Sequence, residues 1–170
     1  MLKFASVFLI LAFSTAEASE CQKQPGYTLV LHGGAGSWNV SPRRKEQYRK
    51  VMDRVLSDGE KNLSEGATSL AVVESAVMAL EDSPLFNAGK GGVPNQDGVV
   101  ELDASIMSGK DRNAGAVAAT KTIKNPIHAA RLVMQKSPHV MIVDRGAARF
   151  AEKHGATIVD PSYFLVSNAD

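Results

Sequence analysis

The sequence predicts an α+β fold in which helices pack on an antiparallel sheet. Two strand-like segments, 99–107 and 114–119, are joined by Ser108-Gly-Lys-Asp-Arg112, which is typical of a hairpin connection. Four segments with apolar residues at helical spacing flank this hairpin. The 170 residues are 44% hydrophobic and 22% charged, which suits one domain long enough to bury a core.

The elements before the hairpin are predicted from apolar runs and their end signals. Residues 27–31 form an apolar, β-branched run stopped by glycines, which predicts a buried strand. Helical spacing then predicts an amphipathic helix over about 42–62, which Gly66 ends. Thr68 is placed to cap a second helix that ends near Asp82. This helix is rich in Ala and Val, so we expect it to lie between other layers, with one apolar face formed by Leu70, Val73, Val77 and Leu80.

The elements around and after the hairpin follow the same rules. A turn at Asn95-Gln-Asp-Gly98 leads into the first strand. Asn125 is placed to cap a third helix with Pro126 in its first turn. Residues 139–143 predict a further strand, and Asp144 is placed to cap a helix that runs through Lys153 until Gly155 ends it.

The first eighteen residues are typical of an export signal. Lys3 supplies the positive start, residues 4–13 an apolar run too short to span a membrane, and Ala16-Glu17-Ala18 a cleavage site. The alternative is an uncleaved anchor or a buried N-terminal helix. We expect an exported protein in a periplasmic, luminal or extracellular space, with residues 1–18 removed and 19–170 forming the mature portion.

Composition and charge limit the classes of partner and of structural site that we expect. A net charge of +1 argues against nucleic acid, and we expect no membrane contact after removal of the signal. Cys21 is the only cysteine, so an internal disulfide or a cysteine zinc cluster is excluded. Asn62-Leu-Ser64 is a glycosylation sequon if the host is a eukaryote.

Two glycine-rich loops stand out in the chain. They are Leu29-Val-Leu-His-Gly-Gly-Ala-Gly-Ser-Trp38 and Ser83-Pro-Leu-Phe-Asn-Ala-Gly-Lys-Gly-Gly92. Pro84 and the glycines after it predict a sharp turn into irregular backbone. Such backbone is compatible with a cation held by carbonyl oxygens, an anion held by amides, or a neighbouring strand that needs room.

Side-chain chemistry offers few candidates. None of the four histidines stands at a nucleophile-elbow or zinc-ligand spacing: His32, His128, His139 and His154. Glu101 and Asp103 share a strand face, which suits either acid–base work or an exposed edge. The glycine loop after His32 lacks the G-x-G-x-x-G pattern of a dinucleotide site. Signal cleavage exposes Ser19 as an N-terminal hydroxyl beside a free amine, a formal but weak alternative nucleophile.

Five stretches in order resemble the plant-type L-asparaginase and isoaspartyl peptidase family of N-terminal nucleophile hydrolases. They are the two glycine-rich loops, Val100-Glu-Leu-Asp-Ala-Ser-Ile-Met-Ser-Gly109, Ala114-Gly-Ala-Val-Ala118 and Asn125-Pro-Ile-His-Ala-Ala-Arg-Leu-Val-Met134. The resemblance runs from about Leu29 to Phe164. It implies a four-layer αββα sandwich of which this chain supplies the N-terminal half.

The resemblance also implies a reaction. In the family, the precursor cleaves itself, and a threonine that becomes a new N-terminus attacks the substrate carbonyl with its α-amino group as base. The Gly-Thr-Val-Gly type of stretch is absent from this chain, which ends in the segment that precedes that threonine. We therefore expect hydrolysis of β-aspartyl peptides and L-asparagine with a C-terminal (β) portion as partner, in a dimer of αβ units. The alternative is an inactive remnant or interaction domain.

For particular residues of this chain, the resemblance implies supporting roles rather than catalytic ones. It implies no required cofactor but a structural sodium ion, held by the main-chain carbonyls of Leu80, Glu81, Ser83, Phe86, Ala88 and Lys90. The Lys90 ammonium must then point away from the ion. Asn87 matches the asparagine close to the nucleophile. His32, Gly33 and Gly34 match the loop under the active site, in a form that favours the isoaspartyl peptidase branch.

Overall fold

The computed structural model describes residues 26–34 and 39–166. The export signal, Ser19 and Cys21 lie outside these ranges. Within them, four α-helices, one 3-10 helix and one three-stranded sheet confirm the α+β class. In chain order they are α1 (Pro42–Ser64), α2 (Ser69–Glu81), β1 (Leu102–Met107), β2 (Ala114–Thr120), α3 (Pro126–Lys136), β3 (Met141–Val143), α4 (Asp144–Lys153) and the 3-10 helix Pro161–Phe164. None of the helices in the described ranges has the length and apolar character needed to cross a bilayer.

Helix α1 begins at Pro42, as predicted, and α2 begins directly after the predicted cap Thr68. The Ser41 hydroxyl accepts the Arg44 amide, and the Thr68 hydroxyl accepts the Ala71 amide, which satisfies donors that the first turn leaves free. Gly66 has a φ of +89°, the left-handed conformation that ends α1 and turns the chain toward α2.

The predicted apolar face of α2 is only partly correct. Val73 is 42% exposed, whereas its neighbour Val72 is 1% exposed. The reason is that α2 has two contact faces. Val72 belongs to a stripe with the buried residues Ala76 and Leu80, and these two pack in the α1 cluster, while Leu70 and Val77 pack against the core around α3. Val73 falls between the two faces and meets solvent.

The sheet has the order β1-β2-β3. Strands β1 and β2 are antiparallel, with Met107 opposite Ala114 next to the turn, so the predicted hairpin is confirmed. Strand β3 lies parallel to β2 at the edge of this sheet. Both outer strands are shorter than predicted. β1 begins at Leu102, because before it the chain pairs only through the isolated bridge of Val100 with Pro94 across the predicted turn.

Helices α3 and α4 cover one face of the sheet and bury the main core. Its fully buried members include Ile123, Ala129, Val133 and Ala147. The small residues of β2 allow the close packing that the sequence predicts. A side chain at Gly115 would meet the Ala130 carbonyl and the Met134 backbone of α3, so glycine is required there.

Several predicted local features are wrong. Residues 27–31 form no strand, because no other described segment hydrogen-bonds to them as a ladder, and Val30 is 80% exposed. Asp144 is the first residue of α4 rather than its cap, and its φ is +48°. Asn125 stands at the cap position of α3, but its side chain bonds Asp82 instead of the helix. The 3-10 helix after residue 160 was not predicted.

Candidate functional site

The second glycine-rich loop folds back on the end of α2. The Lys90 amide donates to the Glu81 carbonyl at 2.7 Å, and the Gly92 amide donates to the Gly89 carbonyl at 2.9 Å. The Gly91 amide donates to the Phe164 carbonyl at 3.1 Å, which ties the loop to the 3-10 helix. Residues 81–92 therefore form a closed loop held by main-chain bonds.

Two glycines in this loop are required by close backbone contacts. A Cβ atom on Gly89 would lie 2.9 Å from the Cα of Glu81. A Cβ atom on Gly91 would lie 2.8 Å from the Pro84 carbonyl oxygen and 3.1 Å from that of Phe86, and Gly91 has a φ of +106°. The room that these two glycines leave is thus taken by the end of α2 and by the loop itself, whereas a Cβ atom on Gly92 would meet the side chains of Val100 and of Leu102 in β1.

The carbonyl oxygens at the start of the loop are partly engaged by main-chain amides. Those of Glu81 and Ser83 each accept one amide, from Lys90 and Phe86 respectively, whereas the Leu80 carbonyl accepts the amides of both Asp82 and Ser83. A carbonyl oxygen has two lone pairs, so one remains on Glu81 and on Ser83. The Phe86 carbonyl and that of Pro84 converge on Gly91. Oxygen donors of this kind suit sodium or another hard ion. The described residues contain no group of three or more His, Cys, Asp or Glu placed to hold a metal.

The Lys90 side chain extends from the loop to the aromatic ring of Tyr163. Its Nζ lies 5.2 Å from the centroid of the Tyr163 ring, a cation–π distance. The Tyr163 hydroxyl donates to Asp82 Oδ1 at 3.5 Å. The ammonium thus has a partner on the 3-10 helix.

Glu81 is the residue whose role sequence reasoning missed. Its side chain is 2% exposed, and Oε1 accepts the Ile127 amide of α3 at 2.9 Å. Oε2 has no hydrogen-bond partner among the described atoms. Burial raises the pKa of this carboxyl to about 7, although the hydrogen bonds from Ile127 and Asn125 act in the opposite direction. The one available signal was a glutamate that ends an Ala- and Val-rich helix.

The next residue, Asp82, accepts hydrogen bonds from three side chains. Its carboxylate accepts Lys124 Nζ at 2.9 Å and Asn125 Nδ2 at 3.2 Å, besides the Tyr163 hydroxyl. The hydrogen bond to Asp82 raises the pKa of the Lys124 ammonium. Two consecutive carboxyls at the end of α2 therefore connect the loop to α3 and to the 3-10 helix.

Asn87 lies where the two glycine-rich loops meet. A Cβ atom on Gly34 would lie 3.8 Å from Asn87 Oδ1, and one on Gly33 would lie 3.0 Å from the Phe86 ring. The His32 ring accepts the Gly34 amide through Nδ1 at 3.3 Å. The structure thus brings together all the supporting residues that the resemblance singles out.

A cavity of about 370 Å³ opens beside Asn87. It is lined by Glu81 and Ile127 on the helices and by Asp103 and Ser105 of β1. Asn87 and Asp103 are exposed, so the cavity connects with solvent. Its polar lining and its size are enough for water or a small polar group.

The other candidate side chains have structural partners. Glu101 accepts Lys121 Nζ at 3.1 Å and the Asn95 amide at 3.0 Å, and these contacts lower its pKa. Asp103 accepts the Ala119 amide at 2.8 Å. His128 Nδ1 lies 2.8 Å from the Glu74 carboxylate, and His154 Nδ1 lies 2.8 Å from a backbone carbonyl of its own helix.

Comparison with known proteins gives a consistent result. The asparaginase family profile matches residues 25–169. The chain is 52% identical over 139 residues to the isoaspartyl peptidase/L-asparaginase of Bos taurus, covering 82% of this chain and 44% of that protein. For the protein of that name from Homo sapiens, identity is 52% over 127 residues, 75% of this chain and 41% of the relative. The isoaspartyl peptidase of Escherichia coli (strain K12) is 42% identical over 142 residues, which cover 82% of this chain and 44% of that protein.

The described residues form an α+β scaffold in which the two glycine-rich loops meet at Asn87. The chain belongs to the asparaginase family. It spans less than half the length of the curated relatives that it matches.

Proposed function

We propose that the protein is an isoaspartyl peptidase and L-asparaginase, which hydrolyses β-aspartyl peptides and L-asparagine. The observation that carries the proposal is the identity of 42–52% to relatives that bear this name. The meeting of Asn87 with the loop at Gly33 and Gly34 supports it, because these are the positions that match the family's active-site surroundings.

The nucleophile in this proposal is the N-terminal threonine of a C-terminal (β) portion. Its hydroxyl attacks the side-chain carbonyl of the aspartyl substrate, and its α-amino group, with an ordinary pKa of about 7.7–8.0, takes the proton. Water then hydrolyses the acyl-enzyme. The present chain contributes Asn87 beside the nucleophile and a carbonyl loop that, when sodium is bound, is stiffened by ion–oxygen bonds.

We infer also that the chain forms part of a four-layer αββα sandwich. Apolar side chains that are more than half exposed support this inference, because such surface is normally covered by another layer. Several belong to β1 or β3 or directly precede β3: Met107, Val140, Met141 and Val143. The C-terminal portion is the proposed cover, in a dimer of αβ units.

The test is an assay of the natively purified protein with its mass measured in the same preparation. We expect aspartate to be released from β-aspartyl dipeptides and from L-asparagine, with α-aspartyl dipeptides as the matched control. The mass spectrum is expected to show a second chain that begins with threonine. A preparation that contains that second chain but releases no aspartate would contradict the proposed substrates.

The second candidate function is that of a catalytically inactive remnant or interaction domain. In this reading the chain keeps the scaffold that the family shares but does not carry out the reaction. Sequencing the gene decides between the two. A reading frame that continues past Asp170 to a Gly-Thr pair supports the enzyme, and a stop codon after Asp170 supports the remnant.

We propose that the protein is exported, on the strength of the charged start, short apolar run and cleavage site in residues 1–18. N-terminal sequencing of the native protein is expected to begin at Ser19. A sequence that begins at Met1 or Leu2 would contradict export through signal cleavage.

A further inference from the structure

The Glu81 side chain connects α2 to the first turn of α3. Glu81 is the last residue of α2, and its Oε1 accepts the Ile127 amide at 2.9 Å. The cap residue of α3 does not satisfy its own helix, because the Asn125 side chain donates to Asp82. A carboxyl from another helix thus supplies an acceptor that the start of α3 lacks, and it does so with only 2% of the residue exposed.

The main chain of Glu81 holds the other end of the loop. Its carbonyl accepts the Lys90 amide at 2.7 Å. Gly89 lies so close that a Cβ atom there would be 2.9 Å from the Glu81 Cα. One residue therefore fixes both ends of the segment that contains Asn87, while its side chain fixes that residue to α3.

Glu81 also lines the cavity beside Asn87. Both residues line this space of about 370 Å³, and Glu81 Oε2 has no partner among the described atoms. A displacement of the Glu81 side chain would free the start of α3 and change the wall against which Asn87 stands. On the other side of Asn87, its Oδ1 lies 3.8 Å from where a Cβ atom on Gly34 would stand.

We propose that Glu81 is a positioning residue that holds the Asn87 loop at a fixed distance from α3, so that the Asn87 amide meets the nucleophile. This inference rests on the proposed function, because that function places Asn87 beside the nucleophile. It adds a role for the Glu81 side chain, which is distinct from the use of its main-chain carbonyl as an ion ligand. Glu81 acts through Asn87 and does not touch the substrate.

The test compares three variants made in the complete reading frame. Glu81→Leu removes the acceptor at similar size, whereas Glu81→Gln keeps a side-chain oxygen for the Ile127 amide. Glu74→Leu is the matched control. Glu74 also links α2 to α3, through His128 and Arg131, but it lies about two helical turns before Glu81 in α2.

The kinetic readout separates positioning from general stability. We expect Glu81→Leu to lower kcat about a hundredfold with little change in KM, because a shift of about 1 Å in a positioned group has that effect. Glu81→Gln is expected to recover most of kcat, and Glu74→Leu to keep it at a temperature where all variants are folded. A wild-type kcat in Glu81→Leu, or an equal loss in Glu74→Leu, would overturn the proposal.

Hydrogen exchange gives a readout that needs no activity. The amides of Ile127 and Lys90 are expected to exchange slowly in the wild-type protein and in Glu81→Gln, and Ile127 faster in Glu81→Leu. If the wild-type Ile127 amide exchanges at the rate of a free amide, the proposal is wrong even if Glu81→Leu does not fold. If the wild-type protein hydrolyses none of the substrates, the proposed function fails, and the exchange pattern alone decides whether Glu81 fixes the loop.

Discussion

At the scale of single residues, the burial of Glu81 makes the stability of the fold depend on pH. Its pKa rises from an ordinary 4.5 to about 7, chiefly because burial disfavours the charged form. Between these values the native protein holds a proton that the unfolded chain has released. The free energy of unfolding therefore falls as the pH rises through this window. The contribution is fully present below about pH 4.5 and is lost above about pH 7.

We predict a pH-dependent stability that Glu81→Gln removes. From pH 5 to pH 8, the wild-type protein is expected to lose up to about 3 kcal/mol of unfolding free energy through this group. Denaturant unfolding of both proteins at the two pH values measures the difference. Parallel pH profiles for wild type and Glu81→Gln would show that the carboxyl is already ionised at pH 5.

Gly89 provides a second prediction at the residue scale. In Gly89→Ala the new methyl group would lie within 3 Å of the Glu81 backbone, so the loop must shift. We expect a loss of about 1–3 kcal/mol, as for other overpacked sites. Gly109→Ala is the control, because no atom lies within 4 Å of a Cβ there. Thermal unfolding of the two variants is the measurement, and equal melting temperatures would contradict the close contact at Gly89.

At the scale of elements, α2 shows what a periodicity can and cannot predict. The pattern gave the ends of the helix correctly, because Thr68 caps it and Glu81 is its last residue. It placed Val73 inside, since a single apolar stripe was expected. The helix instead contacts α1 on one side and the α3 core on the other. Which faces are buried depends on the neighbours, and that information is not local.

Val72 and Val73 allow this difference to be measured. Val72→Ala deletes a side chain that is 1% exposed and is expected to cost roughly 2 kcal/mol. Val73→Ala changes a 42% exposed side chain with the same chemistry and should cost well under half as much. Urea unfolding of both variants is the test. A larger loss in Val73→Ala would restore the face that the sequence alone predicts.

The candidate site was predictable to a similar extent. The glycines and Pro84 predicted an irregular loop, and the resemblance identified Asn87 and the loop at His32 as candidate site residues. The side chain of Glu81 was not foreseen, because its partner Ile127 is 46 residues away and carries no side-chain signal for a main-chain bond. The strand expected at 27–31 failed for a related reason. A strand needs a paired neighbour, and apolar composition does not supply one.

At the scale of the whole molecule, the exposed apolar surface predicts the behaviour of the isolated 170-residue chain. Strand β3 forms an edge of the sheet and exposes Met141 and Val143. Edges of this kind pair with other chains unless they are covered. Expressed alone, the chain is expected to aggregate or to bind a partner, as measured by light scattering after gel filtration. A monodisperse monomer with a cooperative melt would contradict this expectation.

The isolated chain also provides a direct test of where the nucleophile lies. We predict no release of aspartate from β-aspartyl peptides or L-asparagine by the 170 residues alone, since they contain no Gly-Thr-Val-Gly stretch. Addition of the C-terminal portion, or expression of the complete reading frame, is the positive control. Turnover by the purified chain alone would require another nucleophile, such as Ser19.

The bond between Tyr163 and Asp82 has a consequence for the order of folding. These residues are 81 positions apart, so the bond closes a long segment, and the entropic cost of closure comes before the contact forms. The β1–β2 hairpin and the helices form mostly from nearby residues. During synthesis, the loop that carries Asn87 can therefore be completed only after residues 163 and 164 have left the ribosome. The site would then be the last part of this chain to reach its final shape.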